Sequence, residues 1–236
     1  AALQAAACAW SIQLHVARTP YLETSQGTFP LRVRIGLGVG PVYSAVVGSP
    51  AAGLLHLLAG PARQAAVQAG RLARPGEIVL SGAVCRLLGG AATVRPTRWG
   101  YGWLVHLAGA DEVERTEREP LPTLSAEGQA MLAAFLPPVL ASRLQVGGRT
   151  FIGEHRYVVV LFIGFQGLDF SRDPQVGGRL RAYIGAMQEV VRRYDGTLGD
   201  IEVADKGSLF LAFFGAPSAH EDDDVRAVLC ALDMQE

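Results

Sequence analysis

Tyr157-Val158-Val159-Val160-Leu161-Phe162-Ile163-Gly164-Phe165 is the longest unbroken apolar run in the chain. A run of this kind with no alternation reads as a strand buried on both faces, and it is far shorter than the roughly 20 residues that span a bilayer. Downstream, the spacing predicts a helix over Val176–Tyr194, a turn at Asp195-Gly196, and strands over Thr197–Ala204 and Ser208–Phe214. Asp205-Lys206-Gly207 joins the two strands, Gly215-Ala216-Pro217 stops the pair, and a helix starts at Glu221 with its stripe at Val225, Val228, Leu229 and Leu232.

Upstream, Asp111 to Ser125 is dense in charge and carries Pro120 and Pro122, the composition of a solvated connector. A short helix, Ala126–Phe135, and a Pro137-Pro138 break follow it. Before the connector, Leu3, Ala7, Trp10 and Leu14 form a helical stripe. Leu31–Leu37 alternates at period two, and Gly36, Gly38, Gly40 and Pro41 turn the chain into a second strand, Val42–Val47, which together predict a hairpin. Gly60-Pro61 opens a helix to Leu72, Arg74-Pro75-Gly76 ends it, and Glu77–Ser81 is a short strand. A helix over Ala83–Leu88 and strands over Thr93–Trp99 and Gly102–Leu107 complete the first part. The expected organisation is therefore 1–110, a connector over 111–150, and 151–236. Both ends fall inside helical stripes and no initiator Met opens the chain, so it is expected to be an excerpt of a longer protein.

Half of the 236 residues are hydrophobic, enough for a core of ordinary size. The 21 basic and 22 acidic residues give a net charge of −1 and are mixed along the chain, so no basic face tracks a phosphate backbone, and neither nucleic acid nor membrane is an expected partner. With no leader sequence, the expected location is cytoplasmic. Cys8, Cys85 and Cys230 lack CxxC or Cys/His spacing and read as buried, reduced thiols. Gly36, Gly38 and Gly40 precede a strand rather than a helix, which argues against a dinucleotide loop. The acids Glu221 to Asp224 suit the first turn of a helix better than a metal. Asp200 and Glu202 read as a solvated strand edge, and Trp99–Trp103 as a packed aromatic turn.

In the second part the elements follow the front of a ferredoxin-like fold, and the words they carry are more specific. Glu154–Phe162, Arg193-Tyr-Asp-Gly196, Asp205-Lys-Gly207, Phe213–Pro217 and Ala219–Asp223 resemble, in order and spacing, the front half of a class III adenylate/guanylate cyclase domain. They look most like the second domain of soluble, bicarbonate-regulated-type cyclases and of bacterial relatives with an ATPase and helical repeats downstream. In the first part, Val33–Val42, Val46-Val47-Gly48, Gly60 and Arg74–Ser81 are similar to the back half of the same domain. The resemblance implies an α/β (α+β) chain holding two partial, ferredoxin-like cyclase domains: the C-terminal half of one in 1–110 and the N-terminal half of the next in 151–236.

Cyclisation of a nucleoside triphosphate needs two metal ions and donors for the charge developing at the α-phosphate. By the resemblance, the family's two metal aspartates fall at Gly164 and Ser208, its purine-reading lysine at Asp200, a purine-contacting polar residue at Leu57, and its transition-state Asn and Arg near Gln64, Val67 and Gln68. Glycine and serine cannot replace an anionic oxygen ligand for magnesium. The implied function is thus a scaffold and a degenerate second site in a cyclase that turns ATP or GTP into cyclic nucleotide and pyrophosphate. The magnesium or manganese belongs to the whole protein rather than to this piece, and the two domains pair with each other. The piece alone is expected to be inactive. The alternative is a non-catalytic cyclase-like module that controls an attached ATPase.

Overall fold

The computed structural model describes residues 1–110, 121–137, 140, 141, 144, 155–169, 172–202 and 207–235. Much of the expected connector, Pro138, Glu154 and the Asp205-Lys206 part of the turn lie outside the described residues. The first elements are α1 (Ala2–Arg18), β1 (Tyr21–Thr24), β2 (Gly27–Pro30), β3 (Ile35–Leu37), β4 (Tyr43–Ser49) and β5 (Gly53–Ala59). Next come α2 (Pro61–Leu72), β6 (Ile78–Leu80), α3 (Gly82–Leu88), β7 (Ala92–Pro96) and β8 (Gly102–Leu107). After them follow α4 (Ala126–Ala133), β9 (Val159–Phe165), α5 (Val176–Arg193), β10 (Thr197–Glu202), β11 (Ser208–Phe214) and α6 (Asp223–Asp233). Helices and several sheets thus make a mixed α+β chain. Among the described residues no helix is long and apolar enough to cross a membrane.

Contacts divide the chain into two compact units: Ala1–Val42 with Ala59–Glu119, and Tyr43–Leu58 with Pro120–Glu236. The β4–β5 hairpin therefore stands with the second unit, although it lies in the first part of the sequence.

In the first unit the sheet order is β3-β6-β8-β7, with β3 parallel to β6 and the other neighbours antiparallel. β6 is a short Ile-Val-Leu run buried on both faces, as its unbroken apolar character requires. Ile78 and Leu80 pack with Ala6, Ala7 and Ala9 of α1 and with Val84 and Leu88 of α3. Val79, between them, packs with Ala69 and Ala73 at the end of α2, so a helix covers each face. Pro61 takes the first helical position of α2, where its missing N–H costs nothing. The Ser81 hydroxyl caps α3 by accepting from the Val84 amide.

The expected hairpin of Leu31–Leu37 with Val42–Val47 does not form. β3 is three residues long and pairs with β6 (Ile35↔Ile78, Leu37↔Leu80), while β4 pairs with β5. The glycines serve a different purpose from turning the chain. A Cβ on Gly36 would lie 2.2 Å from the Ala66 carbonyl oxygen and the Gly70 amide nitrogen, and one on Gly38 2.4 Å from the Ala62 oxygen. Their bare Cα atoms let the backbone of α2 rest directly on β3.

The second unit is built on an antiparallel sheet of order β10-β11-β9, with Ser208↔Phe165 through Phe214↔Val159 in register. β9 and β10, both antiparallel to β11, are parallel to each other, and α5 is the connection between them. Along β11 the burial alternates, with Phe210, Ala212 and Phe214 inside. α5 contributes the stripe Val176, Leu180, Ile184 and Val191, and α6 contributes Ala227 and Cys230. Of the three thiols expected to be buried only Cys230 is, Cys85 being partly buried and Cys8 exposed on α1. β10 is an edge strand among the described residues, and Asp200 on it is exposed, as a solvated edge requires. Of the aromatic turn in the first unit, Trp103 packs under the Arg95 guanidinium, 4.9 Å from the ring centroid. Trp99 does not pack: it is 72% exposed with φ 57°.

Candidate functional site

The seven positions singled out in the sequence divide between the units. Gln64, Val67 and Gln68 share helix α2 of the first unit, all partly buried. Leu57, Gly164, Asp200 and Ser208 belong to the second unit.

Gly164 and Ser208 lie on adjacent rungs of neighbouring strands, because Ser208 pairs with Phe165 and Leu209 pairs with Gly164. Residues directly opposite share a face, and successive residues alternate faces. Ser208, 8% exposed, therefore points with Phe165 to the side covered by the helices, while position 164 points with Leu209 to the other side. A Cβ on Gly164 would meet nothing within 4 Å. The two positions are brought together along the strands but their side chains do not converge, and neither offers a carboxylate. Mg²⁺ needs hard oxygen ligands near 2.0–2.1 Å in near-octahedral geometry, so these residues do not fit a metal ion. Among the described residues no group of three or more His, Cys, Asp or Glu side chains could hold one.

The Asp200 carboxylate accepts a hydrogen bond from the Ile201 amide at 2.9 Å, beside a register slip between Leu198 and Ile201. It is turned back onto its own strand, a local satisfaction common to short acidic side chains. Leu57 on β5 is 2% exposed and is a core residue.

Two of the acids at the start of α6, Asp222 and Asp223, are paired. Arg226 donates to Asp222 at 2.7 Å and to Asp195 at 2.6 Å, and the Arg226 hydrogen bond is the main reason that the Asp222 carboxyl ionises below its ordinary range. The Asp223 carboxylate accepts from the His220 amide at 2.8 Å, with the His220 ring nitrogen Nδ1 3.3 Å from its other oxygen. These contacts order the first turn of α6, consistent with acids complementing the helix dipole.

One residue that the sequence analysis passed over organises the second unit. Gln188 of α5 is 4% exposed; its amide oxygen accepts from the Ser49 amide at 3.0 Å, and its amide nitrogen donates to the carbonyls of Ala52 at 3.1 Å and Gly53 at 2.7 Å. It thereby clamps the turn between β4 and β5. Gly177, one end of the same helix, leaves room for the Tyr43 ring, whose hydroxyl oxygen would lie 2.1 Å from an added Cβ. The Leu54 amide donates to the Ala134 carbonyl at 2.7 Å, so the helix end at α4 is tied to β5 as well. The signal in the sequence was a polar residue on the stripe Leu180, Ile184, Gln188, Val191.

Compared with known proteins, the chain matches no protein-family model and no curated sequence.

Proposed function

We propose that this chain is a part of a tandem-domain class III nucleotide cyclase acting in cytoplasmic cyclic-nucleotide signalling, and that it supplies scaffold and a degenerate second site rather than the catalytic one. The observation that carries the reading is the second unit's topology: β9, α5, β10, β11 and α6 in sequence, with sheet order β10-β11-β9. That arrangement is a split βαβ unit, which is also how a ferredoxin-like fold begins, and so it supports the reading. It puts the two positions at which the resembled family carries its metal aspartates on adjacent rungs, Gly164 and Ser208.

A second observation supports the pairing of the two partial domains. The β4–β5 hairpin, read as belonging to the first domain's back half, packs on α5 of the second domain's front half through Gln188. Within this reading the positions have lost their chemistry rather than kept a site: Leu57 and Ser208 are buried, Gly164 faces open space on the opposite side of the sheet from Ser208, and none of the three offers a carboxylate. Metal-assisted cyclisation then falls to residues of the whole protein outside this piece.

The test compares the purified chain with the whole protein, both given ATP or GTP with magnesium or manganese. The chain should form no cyclic nucleotide above a boiled control, and the whole protein should form it. Turnover by the chain that survives repurification contradicts the degenerate-site reading. A whole protein that is folded yet inactive with both nucleotides contradicts the cyclase reading and leaves the regulatory module.

A further inference from the structure

The first unit holds an open-sided cavity of about 500 Å³ between the second half of α1 and the strands β6 and β8, with Leu14, Leu31 and Val105 exposed at its mouth. Ile78 and Leu104, each 3% exposed, are the deepest apolar side chains in its lining, and Trp10, Leu14 and Trp103 line it further. The volume lies within the roughly 300–1,000 Å³ of ordinary small-molecule sites, and such sites combine an apolar lining with a few polar groups that fix orientation. The lining here has one charged side chain, Arg32, which is exposed. Among the described residues nothing pairs with it.

The walls are held in place by contacts of their own. Trp103 is stacked by Arg95 at 4.9 Å, and Trp10 sits edge-on to His106 with ring centroids 6.3 Å apart. Gln13 donates to the carbonyls of Val33 at 3.1 Å and Glu77 at 3.2 Å, which ties α1 to the two adjacent segments that lead into β3 and β6. A chamber fixed in this way does not have to be ordered by its ligand.

We propose that this cavity binds a single-chain amphipathic carboxylate, its hydrocarbon body against Trp10, Leu14 and Trp103 and its head group on Arg32. An apolar chamber rewards a hydrocarbon body, and a lone guanidinium without an acid in the lining selects an anionic head over a neutral or cationic one. Each methylene buried should tighten binding by about fourfold until the chamber is full.

Tryptophan emission reads this site directly. Of the three tryptophans, Trp10 and Trp103 line the cavity and Trp99 does not. In a Trp99→Phe background, titration with dodecanoate below its micelle concentration should give a saturable change in emission, with decanoate weaker. Arg32→Gln should weaken dodecanoate by about tenfold, the loss expected for a hydrogen bond to a charged group, and leave dodecanol unchanged. Ala17→Phe, at an exposed helix position on the cavity wall, should abolish both. A parent protein with no saturable change overturns the proposal. So does dodecanoate binding that is equal in the parent, Arg32→Gln and Ala17→Phe proteins, since it would report surface adsorption. Tighter binding of dodecanol than of dodecanoate overturns the role given to Arg32.

Discussion

A glutamine buried in an apolar stripe is costly unless its amide is fully used, and Gln188 uses both ends of its own on the turn of another element. Removing it leaves the Ser49 amide and the carbonyls of Ala52 and Gly53 short of their partners. A buried group left unsatisfied costs about 1–3 kcal/mol, and these three partly buried residues, which water reaches in part, cost less each. Gln188→Ala and the similarly sized Gln188→Leu are therefore both expected to destabilise the chain, by about 2–4 kcal/mol in chemical denaturation. The Ser49 amide should exchange its hydrogen faster in both variants. If Gln188→Leu is as stable as the parent, packing and not the hydrogen bonds holds the hairpin. At this scale the sequence was partly legible. The resemblance singled out Gly164, Ser208 and Asp200, but the sequence could not show that Gly164 and Ser208 point to opposite faces, because that follows from register. Arg32 drew no attention either, as nothing local to it distinguishes a cation at a cavity mouth from one in water.

The helices and the strands β4, β9, β10 and β11 were legible to within a residue or two where they are described, since hydrophobic spacing reports a period directly, whereas β1, β2 and β5 were not read from the sequence at all. Partners were not legible. Ile35–Leu37 was recognised as strand, yet its partner is β6, some forty residues on, rather than its neighbour in sequence. The same blindness assigned Gly36 and Gly38 to a turn when they form a seat for α2. Substitutions at glycine should consequently split by sign. Gly36→Ala puts a methyl against the backbone of Ala66 and Gly70, atoms that cannot swing aside, and should cost about 3 kcal/mol or prevent folding. Gly178→Ala, on α5 with nothing within 4 Å, should instead stabilise by about 0.5–1 kcal/mol through helix propensity. Urea midpoints moving in the same direction for both variants would contradict the seat assigned to Gly36.

For the molecule as a whole, Cys230 links stability to alkaline pH. It is completely buried on α6, and burial, with help from Asp233, pushes its thiol up to about 11. A thiol in the unfolded chain ionises near 8.5. Below that pH neither state carries the charge and stability is at its full value; above it the unfolded chain gains a thiolate that the fold resists. Stability should then fall by about 1.4 kcal/mol per pH unit up to about pH 11. Denaturation midpoints between pH 8 and 10.5 should show a steeper loss for the parent than for Cys230→Ala, and parallel slopes would remove Cys230 from the account. The hairpin carries a different consequence, one of timing. Ser49 and the Gln188 that receives it are 139 residues apart. A ribosome adding roughly 5–20 residues per second needs about 7–28 s to deliver the second after the first. A lone two-stranded ribbon is marginal in water, so Val47 and Leu57, each at most 2% exposed in the finished unit, must spend that interval uncovered. During synthesis the second unit begins early and closes late, and the nascent chain depends on whatever shields those side chains until α5 emerges.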